Sequence, residues 1–195
     1  AILQGNERPL EWALFRHAFE GGSVGEVLDA LARHQETSGG FTDLGEGGRD
    51  GASPMATTIA FQYLTELGVG DESPMVQQGI GYFLDTFERQ FEVWPPTPRP
   101  MPAYASDRLP HTWGNPSAEI VGYLLAFESL VPDAFRERVL GLALANLRHA
   151  PPPIHEFADL CFLRLARFAD PELRAEILDK VGAGVLDNLQ LDHAR

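Results

Sequence analysis

The stretch VQQGIGYFLDTFERQF, residues 76–91, carries an apolar side chain at every third or fourth position. That spacing places Val76, Ile80, Phe83 and Phe91 on one face of an α-helix, which is typical of an amphipathic helix that packs against a core. The same spacing recurs along most of the chain, and no long stretch alternates apolar and polar residues with a period of two. The sequence therefore predicts an all-α fold of helical hairpins with no substantial sheet.

Capping residues, prolines and glycines mark the helix boundaries. A capping side chain stands directly before a proline at Ser53-Pro54, Ser73-Pro74, Asn115-Pro116 and Asp170-Pro171. A proline suits the first helical position because its fixed φ is helical and its missing N–H would have no partner there. Glycines that can end a helix stand at 21–22, 39–40 and 68. The pattern predicts about eight helices, paired into about four hairpins, in a single domain that spans the whole chain.

Composition argues against several classes of partner. The 28 acidic and 15 basic side chains give a formal net charge of -13, which repels a phosphate backbone and an anionic membrane surface. The lone Cys161 excludes an internal disulfide and fits a reducing compartment, so we expect a cytoplasmic protein. No stretch approaches the ~20 apolar residues that a membrane-spanning helix needs. We expect no nucleic-acid partner and no membrane insertion.

Two long loops, with the helix start that follows the second loop, carry the side chains best suited to chemistry. Residues 38–52 are rich in glycine and acid, and residues 94–115 combine prolines with aromatic residues. If the hairpins are repeats, both loops open at the same end of the fold. The candidate catalytic residues, acting by general acid–base chemistry or by holding a cation, are Asp43, Glu46, Asp50, His111 and Glu119. The candidate ligand-binding aromatics are Trp94, Tyr104 and Trp113.

Two of these residues also have a purely structural interpretation. Glu119 follows Asn115-Pro116 closely, and an acid in the first turn of a helix interacts favourably with the positive end of the helix dipole. Trp113 can equally be an anchor that packs its loop onto the helices. Both interpretations stay open at the level of the sequence.

A loose internal repeat runs through the first two thirds of the chain. In the first copy, Leu31-x-x-x-Gln35 is followed by Gly39-Gly40-Phe41 and then by Ser53-Pro54-x-Ala56-Thr57. In the second, Tyr82-Phe83-Leu84 leads through Trp94-Pro95 to Asn115-Pro116-Ser117-Ala118-Glu119. The order and type of residues persist, which indicates a repeated helical hairpin.

The segment LARHQETSGGF, residues 31–41, resembles the QW-type repeat of squalene and terpene cyclases, with phenylalanine in place of tryptophan. The same hairpin is similar to that of protein prenyltransferase β subunits. With the two proline-led segments of the repeat, it makes residues 24–130 similar to bacterial proteins that carry prenyltransferase/squalene-oxidase-type repeats. The resemblance implies a partial or complete α/α toroid, in which inner helices surround a central apolar cavity.

The catalytic motifs of these families do not accompany the resemblance. The Asp-x-Asp-Asp motif of class II cyclases and the Asp-Asp-x-x-Asp motif of class I synthases are both absent from the sequence. Asp159-Leu160-Cys161 matches the Asp-x-Cys zinc ligands of protein prenyltransferases, with His155 or His193 as a third ligand. Residues two apart on a helix diverge by about 200°, however, so a buried core cysteine is the favoured interpretation. We expect no metal site and no cofactor.

Three functions fit these features. The first is a central cavity that binds an apolar or prenyl-like small molecule, with or without a transferase or cyclase-type reaction. The second is a non-catalytic helical-repeat scaffold that binds another protein or, as a homodimer, its own second copy. The third is a carbohydrate-processing enzyme, which would place two carboxylates about 5–10 Å apart in an open acidic cleft. The sequence leaves open whether the protein is an enzyme.

Overall fold

A computed structural model describes residues 8–45, 51–96, 113–150 and 156–188. Over these ranges the protein has eight α-helices and no strand, so the predicted all-α fold is confirmed. The helices are α1 (Pro9–Phe19), α2 (Val24–Leu31), α3 (Pro54–Glu66), α4 (Pro74–Thr86), α5 (Glu119–Ala126), α6 (Asp133–His149), α7 (Glu156–Phe168) and α8 (Pro171–Asn188). None of the described helices has both the length and the apolar character that crossing a membrane requires.

Several helix ends follow the boundary signals in the sequence. The Ser53 side chain accepts a hydrogen bond from the N–H of Ala56 at the start of α3, at 3.0 Å. Asp170 caps α8 in the same way through the N–H of Leu173, at 2.9 Å. Gly68, with φ of +68°, follows the end of α3 in the left-handed conformation that glycine adopts without steric cost. Local side-chain chemistry therefore determines these boundaries.

Helix α4 is shorter than its apolar pattern, which continues to Phe91. The helix ends at Thr86, and Phe87 already has an extended backbone. The chain then folds back, and the indole N–H of Trp94 donates to the carbonyl oxygen of Phe83 at 2.6 Å. This side chain satisfies a carbonyl in the last turn of α4 that continued helix would otherwise have paired. The helix thus ends before its apolar periodicity ends, and a side chain eleven residues further along the chain stabilises its last turn.

Both copies of the internal repeat contain a hydrogen bond from an aromatic residue to a hydroxyl group, although the two hydroxyl groups are not at equivalent positions of the repeat. The backbone N–H of Phe41 donates to Oγ1 of Thr57 at 2.9 Å, and the backbone N–H of Trp94 donates to Oγ of Ser117 at 3.1 Å. Both hydroxyl groups are buried, and in each copy an isolated antiparallel bridge lies at or next to the aromatic residue. Each aromatic segment is therefore tied to the start of the helical segment that follows it. Whether the hairpins close into a toroid remains a prediction.

The second half of the core forms where α7 packs between α5 and α8. Gly122 allows the close approach of α5, since a Cβ atom there would lie 3.0 Å from the Cα of Leu165 on α7. On its other side α5 contacts α3 through aromatic rings, with the centroids of Phe61 and Tyr123 5.3 Å apart. Helices α3, α5 and α7 therefore meet, and the side chains between them form the site described next.

Candidate functional site

The first turn of α5 holds a buried carboxylate, Glu119, whose side chain is only 2% exposed. Its Oε1 accepts hydrogen bonds from the hydroxyl of Tyr123 at 2.6 Å and from Nε2 of Gln62 at 2.9 Å. Its Oε2 accepts a hydrogen bond from Nη1 of Arg164 at 2.8 Å. Gln62 lies on α3, Tyr123 on α5 and Arg164 on α7. One carboxylate therefore links three helices.

The local sequence explains only one of these contacts. Tyr123 follows Glu119 by four positions, so the two side chains share a face of α5. Gln62 and Arg164 reach the carboxylate because α3 and α7 pack on either side of α5. A buried charge is tolerated when it is paired and hydrogen-bonded, and Glu119 meets both conditions.

Cys161 lies on the same side of α7 as Arg164 and completes the cluster. Its Sγ is 3.7 Å from Oε2 of Glu119 and 3.6 Å from Oδ1 of Asn115, within the range of weak thiol hydrogen bonds. Burial, followed by the charge of Glu119, raises the pKa of the Cys161 thiol far above its ordinary range. The same two causes, in the same order, raise the pKa of the Tyr123 phenol. At neutral pH both groups keep their protons and act as hydrogen-bond donors.

Arg164 differs from its neighbours because it reaches solvent, with 36% of its side chain exposed. Burial disfavours the charged guanidinium, but the Glu119 carboxylate outweighs this effect and raises the pKa of Arg164 above its ordinary value. Arg164 therefore carries a full positive charge that its partner largely neutralises.

A pocket of about 250 Å³ opens onto this cluster. Apolar side chains from two helices form much of its wall: Met55 and Ile59 on α3, and Phe157 and Leu160 on α7. Its polar lining is Thr58, Asn115, Glu119, Cys161 and Arg164. The result is a mainly apolar pocket with an ion pair on one side, which is the usual composition of a small-molecule site.

Of the candidate catalytic residues, the structure places Glu119 in this pocket. Asp43 is exposed, with φ of +56°, and does not line it, although Gly45 of the same loop does. Glu46, Asp50, Tyr104 and His111 lie outside the described residues. The described part of the chain therefore brings Glu119 together with residues that the sequence analysis did not select.

The two candidate ligand-binding tryptophans in the described ranges are core residues. Trp94 has no exposed surface and packs on Phe87, with ring centroids 4.7 Å apart. Trp113 is 5% exposed and donates its indole N–H to the carbonyl oxygen of Glu92 at 2.8 Å. Neither lines the pocket. Trp113 has the contacts of a loop anchor, which was its alternative interpretation.

Sequence reasoning missed Gln62, Tyr123 and the one charged residue among them, Arg164. A weak signal exists for Arg164: it is a charged residue between Leu163 and Leu165, three positions after Cys161 on a helix with an apolar face. Three positions bring two side chains to the same side of a helix. The signal does not reveal its partner, because Glu119 lies on another helix.

The cluster is poorly suited to a metal ion. In the ranges that the structure describes, no three His, Cys, Asp or Glu side chains come together as ligands. Asp159 and Cys161 are both buried on α7, while His155 and His193 lie outside the described residues. The Arg164 guanidinium also occupies Oε2 of Glu119 and would repel a cation.

Comparisons with known protein families, with curated proteins and with solved structures each find no match to this chain.

Proposed function

We propose that the pocket between α3, the start of α5 and α7 binds a small, mainly apolar molecule. The observation that supports this most is the exposure of two large apolar side chains at the pocket, Phe157 at 49% and Leu160 at 51%. Their neighbours Cys161 and Leu165 are buried on the same helix. Apolar surface at the edge of a concave site is exposed to water, and a ligand that covers it lowers the free energy of the system.

The size of the pocket limits the ligand. Drug-sized ligands usually occupy pockets of about 300–1,000 Å³. At about 250 Å³, this pocket suits a smaller molecule or one end of a longer one. A suitable ligand has an apolar chain that packs against Leu160 and Phe157 and a polar group that lies near Arg164.

The proposal is one of binding without a catalytic step. A general base must reach a substrate proton, but both oxygens of Glu119 already accept hydrogen bonds from protein donors. A nucleophilic cysteine must ionise, whereas burial raises the pKa of Cys161. The groups of the pocket therefore suit recognition better than proton transfer or nucleophilic attack.

The other functions suggested by the sequence receive less support from this geometry. Among the described residues that line the pocket, Glu119 is the only carboxylate, so the paired acids of carbohydrate processing are not present there. The protein-binding scaffold, the homodimer and the likeness to prenyltransferase-type repeats stay predictions. No observation of the described residues favours one of them over the pocket.

The test is a titration of the isotope-labelled full-length protein with toluene, followed by heteronuclear NMR. Toluene is small, neutral and apolar, so it reports on the pocket whatever polar group the natural ligand carries. We expect shifts in the methyl signals of Met55, Ile59 and Leu160 that saturate together, because all three side chains line one pocket.

A matched pair of substitutions locates the binding. Leu160→Glu places a charge in the wall and should abolish saturable binding. Leu178→Glu changes a residue on α8 of similar exposure, 46%, that does not line the pocket, and should leave toluene binding intact. Non-saturating shifts in the wild type, or equal effects of the two substitutions, would refute the proposal.

A further inference from the structure

We infer that the ligand presents a neutral hydrogen-bond acceptor, a carbonyl oxygen of the amide or ketone class, to Arg164. This inference rests on the proposed function of the pocket and specifies its ligand. Three features of the lining support it: the free donors of Arg164, the side-chain amide of Asn115, and the position of Glu119.

The guanidinium of Arg164 has unused donors. It carries five N–H groups, and its one hydrogen bond within the described residues is from Nη1 to Glu119. The side chain lines the pocket and is 36% exposed, so its remaining N–H groups are accessible to a bound molecule. A ligand oxygen near them would receive a charge-assisted hydrogen bond, which is stronger than one between neutral groups.

Asn115 adds a second donor to the same pocket. Its Oδ1 is 3.6 Å from the Cys161 thiol, and within the described part of the chain its Nδ2 makes no hydrogen bond. The amide therefore offers N–H groups to the pocket. Since Arg164 and Asn115 both present donors to the pocket, the complementary ligand group is an acceptor.

The charge balance selects a neutral acceptor over an anion. Arg164 is the only cation among the described residues that line the pocket, and Glu119 already pairs with it at 2.8 Å. A carboxylate or phosphate bound to the same guanidinium would lie close to the buried carboxylate of Glu119, and no second positive charge would compensate for the repulsion. A carbonyl oxygen takes the hydrogen bond without that repulsion.

Octanamide and octanoate provide a direct test because they have nearly the same shape and differ in charge. Each is titrated into the labelled full-length protein at pH 7, with the methyl signals of the pocket as the readout. We expect octanamide to bind at least about tenfold more tightly than octanoate. Equal affinities, or tighter binding of octanoate, would overturn the inference.

Two arginine variants test whether the guanidinium of Arg164 is responsible for the binding of octanamide. Arg164→Lys keeps the charge but loses the planar set of donors, so we expect octanamide to bind about tenfold more weakly. Arg167→Lys changes an arginine one turn nearer the end of α7 that does not line the pocket, and octanamide should bind as it does to the wild type. Unchanged octanamide binding by a folded Arg164→Lys variant would also overturn the inference. If that variant does not fold, the comparison of the two ligands on the wild type decides alone.

The toluene titration distinguishes failure of the proposed binding function from failure of the inference that the ligand carries a neutral acceptor. Saturable toluene binding with a preference for octanoate refutes the neutral acceptor and leaves the pocket standing. Failure of the wild type to bind toluene with saturation refutes the binding function, and the inference falls with it.

Discussion

Among the ion pairs of the described residues, the one between Glu119 and Arg164 has a buried carboxylate, with Glu119 2% exposed and Arg164 36% exposed. Glu119→Gln removes the charge and leaves the guanidinium without its partner. Breaking a fully buried pair costs about 3–5 kcal/mol, and solvent at Arg164 reduces this cost. We expect the free energy of unfolding to fall by about 2 kcal/mol, as measured by urea denaturation at pH 7.

The control for this substitution is the exposed ion pair between Glu66 and Arg167. Its closest N–O distance is 3.9 Å, and the two side chains are 62% and 51% exposed. Glu66→Gln should therefore change the free energy of unfolding by less than about 0.5 kcal/mol. Similar decreases in the free energy of unfolding for the two substitutions would show that the burial of Glu119 does not make its ion pair more stabilising than an exposed one.

At the scale of the helical element, the close approach of α5 and α7 depends on the missing side chain of Gly122. A Cβ atom there would lie 3.0 Å from the Cα of Leu165, a backbone atom that cannot rotate away. Gly122→Ala gains about 1 kcal/mol of helix propensity but overpacks the interface at a cost of about 1–3 kcal/mol. We expect a net loss of about 1 kcal/mol in the free energy of unfolding, measured in urea.

Gly141 provides the matched substitution at an exposed position of a helix. It lies inside α6, and a Cβ atom there would meet nothing within 4 Å. Gly141→Ala should therefore raise the free energy of unfolding by about 1 kcal/mol. The two glycine-to-alanine substitutions are expected to have opposite signs, and a stabilising Gly122→Ala would contradict the packing described for α5 and α7.

At the scale of the whole molecule, the protonated groups of the site link stability to pH. Burial, then the charge of Glu119, raises the pKa of Cys161 from an ordinary value of 9.0 and that of Tyr123 from 10.0. The unfolded chain ionises first, so the contribution of each group is complete below its unfolded pKa and declines above it. We expect the free energy of unfolding to decrease above about pH 9, by up to ~1.4 kcal/mol per pH unit for each group.

Substitution of the cysteine tests whether the free energy of unfolding decreases above about pH 9 for this reason. Cys161→Ala removes the thiol, which in the unfolded chain ionises at a lower pH than the Tyr123 phenol. Its effect on the packing does not depend on pH. Between pH 9 and 10 the variant should therefore lose stability less steeply than the wild type. Parallel pH profiles in urea denaturation would mean that the folded thiol ionises at its ordinary pKa.

The sequence by itself determined the helices and many of their ends. Apolar periodicity and capping side chains act over three or four residues, so they can be read without knowledge of the fold. Ser53 and Asp170 cap their helices as their positions before proline predict. The buried state of Cys161 also follows from its place on an apolar helix face.

Only the tertiary structure decided the site. Gln62 and Arg164 are separated from Glu119 by more than forty residues, and they meet it because α3 and α7 pack beside α5. The same packing leaves Leu160 exposed although it belongs to the apolar pattern of α7, and it buries Trp94 although its loop suggested a ligand. Local patterns encode which face of a helix is apolar. Which neighbour covers that face, and where a gap remains, depends on contacts between segments distant in the chain.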